Sequence, residues 1–144
     1  MPVLNFSQSD VMAAVTVAKG WYPTMVTEWK AGASKSGKSV NHFVTLQITD
    51  GQYKGKEIKI LFNSEMNSAQ VMGDLSMFPE HDILRMAAAI KNCKLDQLTL
   101  ENFDTDTLMN IAFDVQFGVE TTNGLLFNNI TGFAPLGKGS QVAF

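Results

Sequence analysis

The chain has 144 residues, enough for one domain with an ordinary hydrophobic core. One cysteine and two histidines exclude a disulfide framework and a Cys/His metal cluster, and no apolar run approaches the roughly 20 residues of a membrane helix. The net charge of −3 is uneven: residues 19–59 carry seven lysines and three acids (net +4), whereas residues 60–144 carry four bases and ten acids (net −6). This asymmetry excludes a uniformly charged surface and favours a local anionic partner.

Residues 1–19 show no clear period, and we expect an N-terminal arm that packs on the following domain. Ser7 or Ser9 is placed to cap a short helix, whereas Val15-Thr16-Val17 favours extended structure. The N-terminus has no basic leader, and Asp10 interrupts its apolar stretches, so we expect no signal peptide. The single cysteine is typical of a reducing cytosol.

The next stretch predicts a three-stranded antiparallel meander. Apolar and polar residues alternate in Tyr22–Trp29, Val40–Thr49 and Lys56–Phe62. Glycine-containing pairs bracket the short connection between the second and third segments, which predicts a hairpin. The first two segments are joined by Lys30–Ser39, a loop of small residues and lysines.

This loop contains a phosphate-binding pattern. Residues 32–39 read GASKSGKS and match G-x-x-x-x-G-K-[ST]. The pattern holds phosphates where a glycine-rich turn leads from a buried parallel strand into a helix N-terminus. Here an alternating strand precedes the pattern and another strand follows it. We favour a lysine-bearing loop and keep nucleotide hydrolysis through Gly32–Ser39 as an alternative.

The middle of the chain predicts the principal helix. Residues 64–75 have apolar spacings of an irregular helical turn, broken at Gly73. Met77-Phe78-Pro79-Glu80 reads as a helix start, and apolar residues then follow at helical spacing from Ile83 to Leu95. Residues 96–109 look like a connector with one or two helical turns.

Strand patterning returns in Asn110–Glu120 and Leu125–Phe133, joined by a hairpin turn at Thr121–Gly124. The resulting fold class is mainly β with one principal helix, a five-stranded OB-fold-like antiparallel barrel with the helix between strands three and four. A split sheet with the helix packed on one face would give the same pattern. We expect a domain at 20–135, between an arm at 1–19 and a flexible tail at 136–144.

Alternation also assigns the faces of the meander. Residues expected to face the core are Val44, Leu46, Ile48, Ile58 and Ile60, and those expected to face outward are Phe43, Thr45, Gln47, Lys59 and Leu61. Trp21, Phe62, Phe113 and Phe117 are expected in the core. Trp29 and Tyr53 lie at predicted strand ends, where exposure is expected.

Several stretches carry a family resemblance. They are GWY at Gly20–Tyr22, VTEWK at Val26–Lys30, SKSGKS at Ser34–Ser39, FVTLQITDGQYKGK at Phe43–Lys56 and NNITGFAP at Asn128–Pro135. Together they resemble small phage-encoded single-stranded DNA-binding proteins of the OB-fold type. The resemblance implies a replication or recombination accessory of the host cytoplasm that coats single-stranded DNA. It also implies phage or host replication proteins as partners, and it leaves self-association open.

Sequence-independent binding of single strands needs a positive groove for phosphates and exposed aromatic faces for stacking bases. The candidates are Trp29, Phe43 and Tyr53 for stacking and Lys30, Lys35, Lys38, Lys54, Lys56 and Lys59 for phosphates. OB-folds bind with strands two and three and the loops beside them, so the loop Lys30–Lys38 and the turn Thr121–Gly124 are expected to border one groove.

Catalysis finds little support in the residues. Glu101, Asp104 and Asp106 are close in sequence, but they have no basic partner and read as a solvated loop. We therefore expect no enzyme, no metal ion and no cofactor. The main alternative is a protein-interaction module on the same barrel, such as a phage inhibitor or virion component, whose binding would tolerate salt.

Overall fold

The computed structural model describes residues 14–72, 75–98 and 104–139, together with Asn5, Ser7 and Val11. Several predictions fall wholly or partly on the other residues: the arm 1–19, the break at Gly73, the connector 96–109 and the tail 136–144. The described part of the connector contains two short 3₁₀ turns, Leu95–Gln97 and Thr105–Leu108, as expected for that segment.

The described chain forms one curled sheet with a helix packed on it. Its elements are β1 Gly20–Ala33, β2 Val40–Ile48, β3 Glu57–Asn63, β4 Gln70–Met72, β5 Leu75–Pro79, α1 Ile83–Lys91, β6 Phe113–Thr122 and β7 Leu125–Ala134. The strand order is β4-β5-β3-β2-β1-β6-β7. One end of the sheet, β7, approaches β5, the strand next to the other end, where the backbone N–H of Ile130 donates to Ser76 Oγ at 2.8 Å. The predicted mainly-β, barrel-like architecture with one principal helix is confirmed.

Two details of the predicted fold are wrong. The sheet has seven strands instead of five, and α1 follows the fifth strand instead of the third. Part of the predicted helical turn at 64–75 is the short strand β4, and Met77–Pro79, predicted as a helix start, belongs to β5. Strands of three and five residues are too short for alternation to distinguish them from a helical turn.

β1 is the long central strand that both halves of the sheet share. Its first residues, Gly20–Thr24, pair with β6, and its later residues pair with β2. The register against β2 shifts between Val26 and Glu28, which marks a β-bulge. A bulge bends its strand and increases the local twist. One strand can therefore serve two differently oriented parts of the sheet.

α1 is shorter than predicted. A 3₁₀ turn, Glu80–Asp82, precedes it, and Asn92 ends it in the left-handed conformation (φ 51°) with its N–H bound to Ala89 O. A left-handed residue is a common way to end a helix. The buried Met86, Ala87 and Ile90 face the barrel core, so α1 covers the inner side of the sheet.

Most of the face assignments are confirmed. Val44, Leu46, Ile48, Ile58 and Ile60 are buried, and so are Phe62, Phe113 and Phe117, whereas Phe43 is exposed. Thr45 and Leu61, expected to be exposed, are buried, and Trp21, expected in the core, is only partly buried. In the register Thr45 lies between Glu28 and Lys59, and Leu61 lies between Phe43 and Met77. Long neighbours on both sides cover such positions even on an outer face.

Candidate nucleic-acid interface

A groove of about 800 Å³ is lined in part by residues of β2 and β3. Its floor includes Phe43 and residues 56–59. Its other sides come from residues 14–16, before β1, and residues 126–128, at the start of β7. Segments from both ends of the domain therefore complete a groove whose floor belongs to the meander.

Phe43 is the exposed aromatic residue of this groove. It lies on β2 between Lys30 on β1 and Leu61 on β3, and 46% of its surface is accessible. Burying a phenylalanine is favourable by about 1.5–3 kcal/mol, so one that stays half exposed in a groove offers a ready contact for another flat, apolar surface.

Two of the predicted lysines line the same groove. Lys59 is exposed on β3 opposite Thr45, and Lys56 is half-buried immediately before β3. Glu57 lies between them in the lining, so this part of the groove carries two positive charges and one negative charge. Of the nine predicted site residues, the groove brings together Phe43, Lys56 and Lys59.

Lys30 lies on the same outer face but has a carboxylate partner. Its Nζ is 2.9 Å from Glu28 Oε1, and both side chains are largely exposed. The hydrogen bond and charge of Lys30 lower the pKa of Glu28, and the same contact raises the pKa of Lys30. An exposed pair of this kind contributes little to stability, so a phosphate can compete for the lysine at small cost.

Trp29 is half-buried within β1 instead of exposed at a strand end. Its ring stacks on Phe62 with centroids 6.4 Å apart and an interplanar angle of 12°. Its Nε1–H donates to His42 Nδ1 at 3.2 Å, so the neutral His42 carries its proton on Nε2, which donates to Glu80 at 3.2 Å. Alternation did not single out His42, which orients the indole of Trp29.

Tyr53 is also half-buried. Its ring contacts Tyr22 edge to face, with centroids 5.7 Å apart, and its hydroxyl accepts the Ala18 N–H at 3.3 Å. The neighbouring Lys54 is exposed in the turn between β2 and β3. Neither residue is among those that line the groove.

Lys35 and Lys38 are exposed in the loop between β1 and β2, which closes on itself. The N–H of Ser34 donates to Ser39 O, and the N–H of Gly37 donates to Ser34 O. The Lys38 and Ser39 N–H groups donate to serine hydroxyls of the same loop. A phosphate cradle needs such groups free and a helix after them, whereas β2 follows here. The geometry therefore does not support the nucleotide alternative.

No sequence pattern indicates the sides of the groove formed by residues 14–16 and 126–128. Residues 14–16 have no clear period, and Asn128 is one of the expected polar alternates of the last strand. In the structure Asn128 is 8% exposed, and its side chain binds the backbone of Val17, 111 positions earlier. The only local signal of this contact is a polar residue in a strand, and its burial is visible only in the structure.

The predicted acidic cluster has a local structural role in its described part. Asp104 Oδ1 accepts the Asp106 N–H at 2.9 Å and caps the 3₁₀ turn that follows. Glu101 lies outside the described residues. Within the described ranges, no group of three or more His, Cys, Asp or Glu side chains is arranged to hold a metal ion.

Comparison with known proteins adds a family and no function. No helix among the described residues has the length and apolar character needed to cross a membrane. A search of curated proteins finds no match. The family model "Protein of unknown function (DUF669)" matches residues 4–143, almost the whole chain. The chain therefore belongs to the DUF669 family.

Proposed function

We propose that this protein binds single-stranded DNA without sequence preference, in phage DNA replication or recombination. The observation that carries the proposal is the groove of about 800 Å³ in which the exposed Phe43 lies with Lys56 and Lys59. This combination meets both requirements of single-strand binding, a stacking surface for bases and cations for phosphates.

The arrangement of the strands supports an OB-fold-like barrel as the framework. If β4 and β5 are regarded as an insertion, the remaining elements are a three-stranded meander, a helix and a closing hairpin. That is the element order of the OB-fold, whose second and third strands form the binding face. The groove lies on β2 and β3, which are those two strands in this chain.

The experiment that tests the proposal is a titration of fluorescein-labelled oligo-dT followed by anisotropy at several salt concentrations. Stacking on an aromatic contributes about 1–3 kcal/mol per base, so Phe43→Ala should weaken binding by about 5- to 150-fold. Wild-type affinity should fall steeply with salt because lysines release counterions from phosphates.

Leu95→Ala is the matched control. Leu95 is similarly exposed (52%) but lies in the 3₁₀ turn after α1 and does not line the groove. We expect this variant to bind as the wild type does. Equal losses in the two variants, or no binding of oligo-dT by the wild type at low salt, would refute the proposal.

A second candidate function is a protein-interaction module on the same barrel. It is favoured by the exposed leucines at the β6–β7 hairpin, Leu125 and Leu126, which are 62% and 56% accessible. Such a contact would be apolar and therefore insensitive to salt. A partner captured equally well at low and high salt, and lost in Leu125→Asp, would support this candidate against DNA binding.

A further inference from the structure

The chain segment before β1 is anchored to the barrel at Val17. The Val17 side chain is fully buried in the core. Its N–H donates to Asn128 Oδ1 at 2.7 Å, and Asn128 Nδ2 donates back to Val17 O at 2.8 Å. Nδ2 also donates to Gly118 O at 3.1 Å. One buried amide thus pairs with both backbone groups of Val17 and with β6.

Two tyrosines hold the next residue. The Ala18 N–H donates to the Tyr53 hydroxyl at 3.3 Å, and the Tyr22 hydroxyl donates to Ala18 O at 2.6 Å. Both backbone groups of Ala18 are therefore bound by side chains, as are those of Val17. Four hydrogen bonds fix two consecutive residues, which directly follow the groove-lining residues 14–16.

Residues 14–16, directly before these anchors, form one side of the groove that contains Phe43 and Lys59. We propose that this segment is a wall of the DNA-binding groove, positioned by Asn128, which also lines the groove itself, and by Tyr53, which does not. The inference rests on the proposed function. It assigns Tyr53 a different role from base stacking: its hydroxyl, and not its ring, contributes to binding.

The segment carries no charge, which gives the inference a distinct salt dependence. Residues 14–18 read AVTVA and carry no charge. Loss of the wall should therefore reduce affinity without changing the number of phosphates contacted. The slope of log affinity against log salt should stay the same, whereas loss of a phosphate-binding lysine lowers it.

The test uses full-length Asn128→Leu and Tyr53→Phe proteins. Amide hydrogen exchange without DNA reports whether the wall is anchored, and oligo-dT anisotropy reports binding. One lost hydrogen bond should speed exchange at Ala18 by about two- to ten-fold in Tyr53→Phe. Two lost bonds should speed exchange at Val17 by about 5- to 150-fold in Asn128→Leu.

Apparent affinity scales with the fraction of molecules in the competent state. A variant in which protection at Val17 or Ala18 is lost should therefore bind oligo-dT at least about two-fold more weakly, with the wild-type salt slope. Thr131→Val is the control, since it removes a β7 hydrogen bond, to Gln116 O, that does not hold the segment. It should leave both readouts unchanged.

The outcomes separate this inference from the proposed function. Faster exchange with unchanged oligo-dT affinity would overturn the wall and leave DNA binding intact. Unchanged exchange in both variants would overturn the anchoring. If wild-type protein fails to bind oligo-dT, the proposed function itself fails and this inference with it. Should Asn128→Leu not fold, Tyr53→Phe decides, because Tyr53 is only half-buried and loses a single oxygen.

Discussion

At the scale of single residues, the hydroxyl of Tyr22 both anchors the chain before β1 and can ionise at alkaline pH. Its hydroxyl donates to Ala18 O, and its ring contacts Tyr53 and Phe117 edge to face. Partial burial, and to a smaller extent the neighbouring Tyr53, raises the pKa of Tyr22 above its ordinary value. The folded protein therefore holds the Tyr22 proton more tightly than the unfolded chain does.

This difference predicts a loss of stability at alkaline pH. Above about pH 10 the unfolded chain begins to release the Tyr22 proton while the folded state keeps it, so the free energy of unfolding falls as pH rises. Tyr22→Phe should show a flatter decline between pH 9 and pH 11 in urea unfolding. A decline as steep as that of the wild type would show that another group is responsible.

Residue environments were predictable where one strand decided them. Alternation along β2 placed Phe43 outside and Val44 and Leu46 inside, and the structure agrees. It failed at Leu61, whose burial depends on neighbours from β2 and β5. The exposure expected for Trp29 at a strand end is also wrong, because Trp29 lies within β1 and its ring stacks on Phe62. The period of a strand shows on which face of the sheet a residue lies, but it does not show which other side chains cover that face.

At the scale of elements, the loop between β1 and β2 shows why a sequence pattern needs its structural context. The letters of a phosphate-binding loop are present in Gly32–Ser39, but the backbone N–H groups of Ser34, Gly37, Lys38 and Ser39 are bound by the loop's own serines and carbonyls. The side chains of Lys35 and Lys38 are exposed and available to an anion.

These two lysines should contribute to DNA binding through charge alone. Each phosphate contact to a single strand contributes about 0.7 to the salt slope, so Lys35→Ala/Lys38→Ala should lower the slope by about 1.4. Thermal stability should be unchanged, because both side chains are exposed. Lys91→Ala/Lys94→Ala, at the C-terminal end of α1, is the control of equal charge. A slope reduced equally by both pairs would indicate a general charge effect.

Elements with long alternation or a strong turn were predictable, and short ones were not. The β6–β7 hairpin follows from Asn123-Gly124, which adopt the left-handed backbone that such a turn needs (φ 53° and 79°). β4 has only three residues, all exposed, and owes its conformation to pairing with β5. Because β5 in turn lies parallel to β3, tertiary contacts decided the structure of this region.

At the scale of the whole molecule, the barrel is nearly closed, and a side-chain hydrogen bond joins β7 to β5 across the gap. Ser76 is 2% exposed on β5, and its hydroxyl accepts the N–H of Ile130 on β7. Ser76 shares the inner side of the sheet with its neighbour in the register, Ile60. The hydroxyl thus satisfies a buried N–H group at the point where β7 approaches β5.

Removing this hydroxyl should loosen the closure. Ser76→Ala leaves the Ile130 N–H buried without an acceptor, which should lower the free energy of unfolding by about 1–3 kcal/mol in urea denaturation. Thr131→Val, which removes an exposed hydrogen bond of the same strand, should cost less than about 0.5 kcal/mol. Equal stability of Ser76→Ala and wild type would show that the closure does not depend on this contact.

The candidate site was predictable only in part, because its residues come from distant parts of the chain. Its floor lies on two adjacent strands, so Phe43 and Lys59 could be identified from local patterns. Its walls join residues from distant parts of the chain, Thr16 and Phe127 among them. No local pattern in one sequence encodes such a meeting, because it arises from the curl of the whole sheet.

The 111 positions between Val17 and Asn128 have a consequence for synthesis of the chain. Domains begin to fold while the ribosome is still adding residues. The meander β1–β3 leaves the ribosome early and already presents Phe43, Lys56 and Lys59. The backbone of Val17 can form its hydrogen bonds only after Asn128 has been added to the chain. A nascent chain therefore carries the floor of the groove long before its walls, and the complete groove belongs to the finished molecule alone.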